Sequence, residues 1–335
     1  MERHGRVARA SHRARGGSCT DCSNNGRNRK HCAMMVWING QFVEMAQAKV
    51  GYFDAGFQHA IGLFETMLAR DGAVLRLEAH LERLATSAKE LRIFEHLRIE
   101  PLAEAIQMCL EKNQMHCAGV HGSVHARIRV TVTGGDLGKP FAGANASEDK
   151  PASPQPTVCI HVQSATRYPD ELFENGIGAS VADNRANAHD PFASHKTLAY
   201  WPRIAALQSA ARSGCSEALW FSTSNHLASG SVSSVMLMKD GCMLLPFARG
   251  ETAPDEASSP VLPGCTRAAM ILWAQAMGVD VQRRMLTIDD VFDADEVLLT
   301  NSSWGVLPVI RVEQHVIADA KPGAMAQRLR ERWLA

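Results

Sequence analysis

No run of this chain approaches the ~18 uninterrupted apolar residues that a membrane-spanning helix needs. Nor does either sign of charge dominate. Lys and Arg number 35, and so do Asp and Glu, so the body has no bulk attraction for nucleic acid or an anionic membrane surface. A Gly-rich dinucleotide fingerprint and a P-loop are both missing. Cysteine is present but unorganised. There are nine, an odd number, scattered singly after residue 32, which argues for reduced thiols in a cytoplasmic protein and against a disulfide framework. What remains is a globular composition, 46% hydrophobic and 21% charged over 335 residues. That length suits about two domains of ~100–200 residues each.

Residues 1–33 lack Leu, Ile, Phe, Trp and Tyr, and carry seven Arg and one Lys against Glu2 and Asp21. A basic segment with so little to bury is expected to be disordered, and it lacks the apolar stretch of a secretory signal. It is either a basic tail or sequence upstream of a start at Met34 or Met35. Cys19-x2-Cys22 followed by His31-Cys32 has a faint zinc-ligand spacing, without the folded context that makes a site.

The rest alternates between strand and helix patterns. Asn39-Gly40 between Val36–Ile38 and Gln41–Val43 predicts a hairpin. Gly62–Ala69 reads as a strand ending at the turn Asp71-Gly72, with Val74–Leu77 pairing back. Leu81, Leu84, Ala88 and Leu91 fall on one face of a helix over 78–92, and 100–115 is a second amphipathic helix. Ala126–Thr133 alternates as a strand. Residues 134–156, rich in Gly, Ala, Ser, Pro and acids, read as a long loop or connector. A second half is then expected to open with a strand over 157–162. It continues with a helix over 201–211, with Pro202 in its first turn, and a strand Glu217–Phe221. A hairpin Val235–Leu245 turning at Asp240-Gly241, a helix from Gly264 to Met277 and a strand Glu296–Asn301 follow. The mixture predicts an α+β fold, with domains 34–155 and 156–335 after the 1–33 tail.

Chemistry concentrates in a few segments. Ala193-Ser-His-Lys-Thr-Leu-Ala-Tyr200 holds Lys196 in an uncharged setting. A desolvated lysine loses its proton more easily, and a neutral amine is what Schiff-base chemistry needs; a surface lysine at a helix start is the plain alternative. Gly264-Cys-Thr-Arg267 offers backbone N–H groups and a hydroxyl at a helix start, either a phosphate site or merely a cap. Thr300-Asn-Ser302 at a strand end offers another such set. Arg83, beside His80, could grip a phosphate bidentately. A lysine and a phosphate cradle together imply pyridoxal phosphate.

In this order the segments resemble the class IV, fold-type IV pyridoxal-phosphate enzymes. That family includes branched-chain aminotransferase, D-amino-acid aminotransferase and aminodeoxychorismate lyase. The resemblance runs from about Trp37 to Pro308. It rests on Gly62-Leu-Phe-Glu-Thr66, Arg76-Leu-Glu-Ala-His-Leu-Glu-Arg-Leu84, His195-Lys-Thr-Leu-Ala-Tyr200, Leu262-Pro-Gly-Cys-Thr-Arg267 and Asp295-Glu-Val-Leu-Leu-Thr-Asn-Ser302. It implies a smaller α/β N-terminal domain and a larger C-terminal, cofactor-binding domain, with pyridoxal phosphate between them. It also implies a homodimer that completes the pocket, and amino acid and 2-oxo acid substrates. By resemblance Lys196 would hold the cofactor and shuttle the proton, and Tyr200 would meet its phenolic oxygen. Arg83, Thr266, the backbone at Cys265, Asn301 and Ser302 would hold the phosphate. His59, Phe64 and Arg129 would line the substrate pocket, with Arg129 meeting a carboxylate; by its pattern alone, an arginine on an alternating strand is more often solvated.

One departure stands out. Members of the family usually carry a glutamate that pairs the pyridine nitrogen and keeps it protonated, so that the ring acts as an electron sink. Here the segment reads Leu227-Ala-Ser-Gly-Ser-Val-Ser-Ser-Val235, with Ser229 at the glutamate position and Ser234 at the usual asparagine position. Three functions are therefore open. The first is an aminotransferase acting on branched-chain-like or D-amino acids. The second is an aminodeoxychorismate-lyase type of β-elimination, which Thr300–Pro308 also resembles. The third is a pyridoxal-phosphate binder of degraded activity. His121 with His125 reads as surface and not as a metal pair, the Cys265 thiol as incidental, and Asp190-Pro-Phe as a turn.

Overall fold

The computed structural model describes residues 33–116, 123–137, 155–251 and 259–335. The Cys19, Cys22, His31 and Cys32 group, nearly all of the basic tail, His121 and most of the 134–156 connector lie outside these residues.

Two sheets organise the described chain. The first runs Gln41–Glu44, Met35–Ile38, Val158–Ser164, His125–Thr133, Gly62–Arg70, Ala73–Val74, each pair antiparallel. Asn39 and Gly40 turn its hairpin with φ of 46° and 88°, as a two-residue hairpin turn demands. The second sheet has nine strands. It runs Val281–Arg283, Cys242–Leu245, Ser234–Lys239, Glu296–Asn301, Gly305–Val312, Ile177–Ala186, Glu217–Ser222, Leu227–Gly230, with His315–Val316 beside Gly305–Val312. Parallel and antiparallel pairs mix in it, so the fold is α+β.

The strand expected to open the second half belongs to the first sheet. Val158–Ser164 pairs with Met35–Ile38 on one side and His125–Thr133 on the other. Its alternation buries Ile160 and Val162 and says nothing of which neighbours it meets. The passage between sheets falls between Ser164 and Ile177.

Gly62–Arg70 is buried along nearly its whole length because both of its faces are covered. Leu63 and Met67 pack with Leu81, Leu84 and Ile106 of the helices Leu77–Glu90 and Ile99–Lys112. Leu68 packs with Met236, Met270 and Leu298 of the second sheet and its covering helices. Each such side chain contributes roughly 1.5–3 kcal/mol of burial. The Leu77–Glu90 helix buries His80, Leu81, Leu84, Ser87 and Ala88, the spacing of one helical face. That face brings His80 and the neighbouring Arg83 against Glu65 of the strand.

Candidate active site

A cavity of about 440 Å³ opens between the sheets. Phe64, Thr66, Arg127 and Arg129 line it from the first sheet, and Lys196, Ser229, Thr266 and Ser302 from the second half.

Lys196 is carried by the segment joining Ile177–Ala186 to the helix Trp201–Arg212. Two backbone bonds pin this segment to the first sheet. The Phe64 N–H donates to the Lys196 carbonyl at 2.9 Å, and the Leu198 N–H to the Gly62 carbonyl at 2.9 Å. Only glycine permits this approach, since a Cβ at Gly62 would lie 2.6 Å from Leu198 Cδ1 and 2.6 Å from the Val132 oxygen. The Lys196 ammonium sits 4.3 Å from the Phe64 ring centre and 5.4 Å from that of Tyr200. Burial lowers its pKa to about 8. Arg83, Arg129 and Arg203 act in the same direction and Glu65 opposes them. A useful fraction of neutral amine is thus present near neutrality. His195 is brought to about 4 by burial and then by Arg249, so it stays uncharged. The Tyr200 hydroxyl donates to the Ser231 carbonyl at 3.1 Å.

The helix Cys265–Ala276 starts at the cavity wall. Its N-cap, Gly264, makes no side-chain cap, so the first N–H groups are available to an anion. A Cβ at Gly264 would lie 2.5 Å from Ser234 Oγ. Thr266 Oγ1 lies 3.2 Å from Ser302 Oγ, which lies 3.1 Å from His80 Nε2. His80 Nδ1 is 2.8 Å from Glu65. Arg83 donates to both Glu65 oxygens, at 2.8 and 2.7 Å, and to the Pro263 carbonyl at 2.8 Å. Burial alone would raise the Glu65 pKa, but Arg83 and His80 outweigh it and hold the carboxyl at about 2. Burial disfavours His80⁺, yet its contacts with Cys265 and Glu65 raise its pKa. Asn301 spends its side chain on the local turn, donating to the Val232 carbonyl and accepting from Ser303 and Trp304 N–H. The Thr300 hydroxyl is buried with no partner, an orphan that a ligand would satisfy.

These donors suit a phosphorylated pyridine aldehyde. They combine an uncapped helix start, two hydroxyls, a fixed guanidinium and an amine whose burial favours the neutral form. They would hold a phosphate at one side of the cavity and an aldehyde at Lys196.

The remaining walls carry cations. His125–Thr133 buries Ala126, Ile128, Val130 and Val132 on one face, which turns Arg127 and Arg129 to the other. That polar face lines the cavity and is not simply solvated. The Arg129 guanidinium lies 3.7 Å from the Phe64 ring centre. Burial, then Arg127, bring its pKa to about 10. On the opposite wall Arg203 Nη1 donates to Ser229 Oγ at 3.1 Å and to the Gly230 carbonyl at 3.0 Å, with its guanidinium 4.8 Å from the Trp220 ring centre. Behind this wall, Glu217 accepts from Ser231 N–H, Val232 N–H and Ser233 Oγ at 3.0, 3.3 and 2.8 Å, and burial raises its pKa. It braces the turn after Ser229.

Every residue expected at the site lines this cavity except His59, which is exposed at the end of the short helix Ala55–His59. Sequence reasoning passed over Glu65, Arg127, Arg203 and Glu217. Signals existed for two of them: an acid inside an apolar strand needs a partner, and Arg203 follows Tyr200 by three residues, the spacing of a shared helix face.

The family model for amino-transferase class IV matches residues 62–312. The chain is 29% identical over 302 residues to a putative branched-chain-amino-acid aminotransferase of Methanocaldococcus jannaschii, covering 90% of this chain and 95% of that protein. It is 27% identical over 297 residues to a D-alanine aminotransferase of Staphylococcus haemolyticus, covering 88% and 95%. Among solved structures, the T.th. branched-chain amino acid aminotransferase with pyridoxamine 5'-phosphate superposes with a TM-score of 0.75 at 26% identity, over 90% of this chain and 93% of that one.

Proposed function

This chain belongs to the class IV aminotransferases, and we propose that it moves an amino group between an amino acid and a 2-oxo acid on pyridoxal phosphate held at Lys196. One observation carries the reading. A lysine with its pKa lowered to about 8 by burial shares a cavity with an uncapped helix start, the Thr266 and Ser302 hydroxyls and a fixed Arg83. When bound, the cofactor supplies an aldehyde and a ring that spreads the electron pair left as a substrate carbon loses its proton. The chain's residues do the rest. Lys196 Nζ would hold the aldehyde and move the substrate proton. Arg83, Thr266, Ser302 and the Cys265 N–H hold the phosphate, with Asn301 shaping the turn beside them. Tyr200 and Ser229, which line the same cavity, would meet the ring's polar atoms. Phe64 walls the substrate pocket, and Arg129 takes the substrate carboxylate.

Relatives named for branched-chain amino acids and for D-alanine support substrates of either kind. β-Elimination of the lyase kind is the second reading, favoured by a serine, not a glutamate, at position 229. The reading includes a smaller domain built on the first sheet, a larger one on the second, and a homodimer. Exposed aromatic side chains at Tyr52, Phe53 and Phe57, with Tyr52 edge-on to Phe53 and tilted against Phe57, support a second copy packing there, on the segment that carries His59. Free Cys109, Cys159, Cys215, Cys242 and Cys265 support a reducing, cytoplasmic setting.

The test is the visible absorption spectrum of purified protein given pyridoxal phosphate and then a panel of L- and D-amino acids. A long-wavelength band bleached by an amino acid and restored by a 2-oxo acid is expected. Lys196→Ala should abolish the band and lower turnover by at least about 10²–10⁴-fold, the range of positioned proton transfer. A band that no amino acid perturbs would sink the transfer reading, and no band would remove the cofactor itself.

A further inference from the structure

Five arginines (Arg83, Arg127, Arg129, Arg203 and Arg267) and Lys196 line the cavity; among the described residues no aspartate or glutamate does. The acids nearest the wall are spent elsewhere. Glu65 is held by Arg83 and His80, Glu217 by the turn 231–233, and Glu251 by Arg267 at 2.8 and 2.9 Å.

We propose that this cavity keeps the pyridine nitrogen of bound pyridoxal phosphate unprotonated, with Ser229 and Arg203 as the donors that face it. The proposal rests on the reading of Lys196 as the cofactor lysine. In the cofactor the nitrogen lies across the ring from the carbon bearing the aldehyde. Fixing the aldehyde at Lys196 and the phosphate at the Cys265 helix start therefore turns the nitrogen away from both. Ser229 stands where the resemblance expects the nitrogen's partner. Arg203 already donates to Ser229 Oγ, so the serine's own hydrogen is left to donate onward. A guanidinium has five donors and no acceptor, so neither it nor a hydroxyl polarised by it favours a pyridinium N–H. The other contacts of Arg203 are the Gly230 and Ser231 carbonyls and the Trp220 face, which leave its charge uncancelled by any directly bonded carboxylate among the described residues. The positive field of the lining acts in the same direction. A neutral ring draws less electron density from the substrate carbon, which favours reactions in which the electron pair leaves with a departing group.

The experiment is ¹⁵N NMR of the holoenzyme loaded with cofactor labelled at the ring nitrogen, with the visible spectrum recorded on the same sample. A neutral-pyridine shift throughout the pH range in which the protein stays folded is expected, together with the lysine-bound absorption band. Ser229→Glu should move the shift to that of a pyridinium. Arg203→Gln should raise the pH at which the nitrogen takes up a proton. A pyridinium shift in the unaltered protein, with the band intact, would overturn the proposal and leave the assignment of Lys196 standing. A neutral shift in a folded Ser229→Glu protein would overturn the role of Ser229. Absence of the band would instead overturn the assignment of Lys196, and the proposal with it. If Ser229→Glu does not fold, the shift of the unaltered protein still decides.

Discussion

At the helix-start end of the cavity each arginine is backed by a carboxylate: Arg83 by Glu65 and Arg267 by Glu251. At the other end Arg203 rests on a hydroxyl and two carbonyls, and Arg129 on a ring face. The first arrangement fixes geometry and cancels most of the field, so what it offers a phosphate is a rigid set of N–H groups. The second leaves the cations desolvated and without a bonded carboxylate, and burial lowers the pKa of Arg129 and of Arg203. One end is scaffold and the other is available to whatever anion or lone pair enters. A buried cation beside a carboxylate is weak evidence of function; one left beside neutral groups is better evidence.

Breaking the paired end should cost most. Glu65→Gln strands Arg83 beside a neutral amide and should destabilise the fold by roughly 3–5 kcal/mol, measured by chemical unfolding near neutral pH. The pH dependence has a definite sign. Glu65 is held at about 2 against an ordinary 4.5, so its stabilisation is full above 4.5 and is lost as pH falls toward 2. The variant should lose that part of the acid dependence; an unchanged acid curve would show that Glu65 is not the group responsible. On the open wall, Arg129→Leu should leave stability nearly unchanged and raise KM for a carboxylate substrate by roughly 10–100-fold, the worth of one charged hydrogen bond at ~1.5–3 kcal/mol. A fall in kcat with KM unmoved would place Arg129 outside substrate binding. Cofactor uptake should sharpen the contrast further. Its rate should rise with pH through about 8 and not near 10.5, and Arg203→Gln should move that midpoint upward by removing one repelling cation; a midpoint that stays put would mean that Arg203 does not act on Lys196. The smallest effect belongs to Thr266→Val, one hydroxyl among several at the rigid end. Cofactor affinity, read by equilibrium titration, should weaken by a few-fold to about 10-fold, and a larger loss would make Thr266 the centre of the cradle.

Much of the site was legible because its groups sit in short, chemically distinctive strings. Lys196 with Tyr200, Thr266 behind Gly264, and Asn301-Ser302 after a strand each join a reactive group to a recognisable element end, and all line the cavity. Glu65 was quoted within Gly62–Thr66 but given no role, because the partners that give it one lie 15 and 18 residues away on a helix. His59 has a reactive side chain and a plausible place in the order of motifs, yet it is exposed on a helix end outside the cavity. A motif orders residues along the chain and does not aim their side chains.

Local pattern and chirality set the hairpin at Asn39-Gly40, the buried face of the Leu77–Glu90 helix and the mixture of strand and helix that makes the fold α+β. These depend on backbone φ values and on residue spacing, which are properties of neighbours in the chain. Tertiary structure alone decided that Val158–Ser164 joins the first sheet, that the polar face of His125–Thr133 lines a cavity and not solvent, and that Arg203 meets Ser229 across 26 residues. A period of two states that a strand has two faces; what each face meets depends on elements far away in sequence.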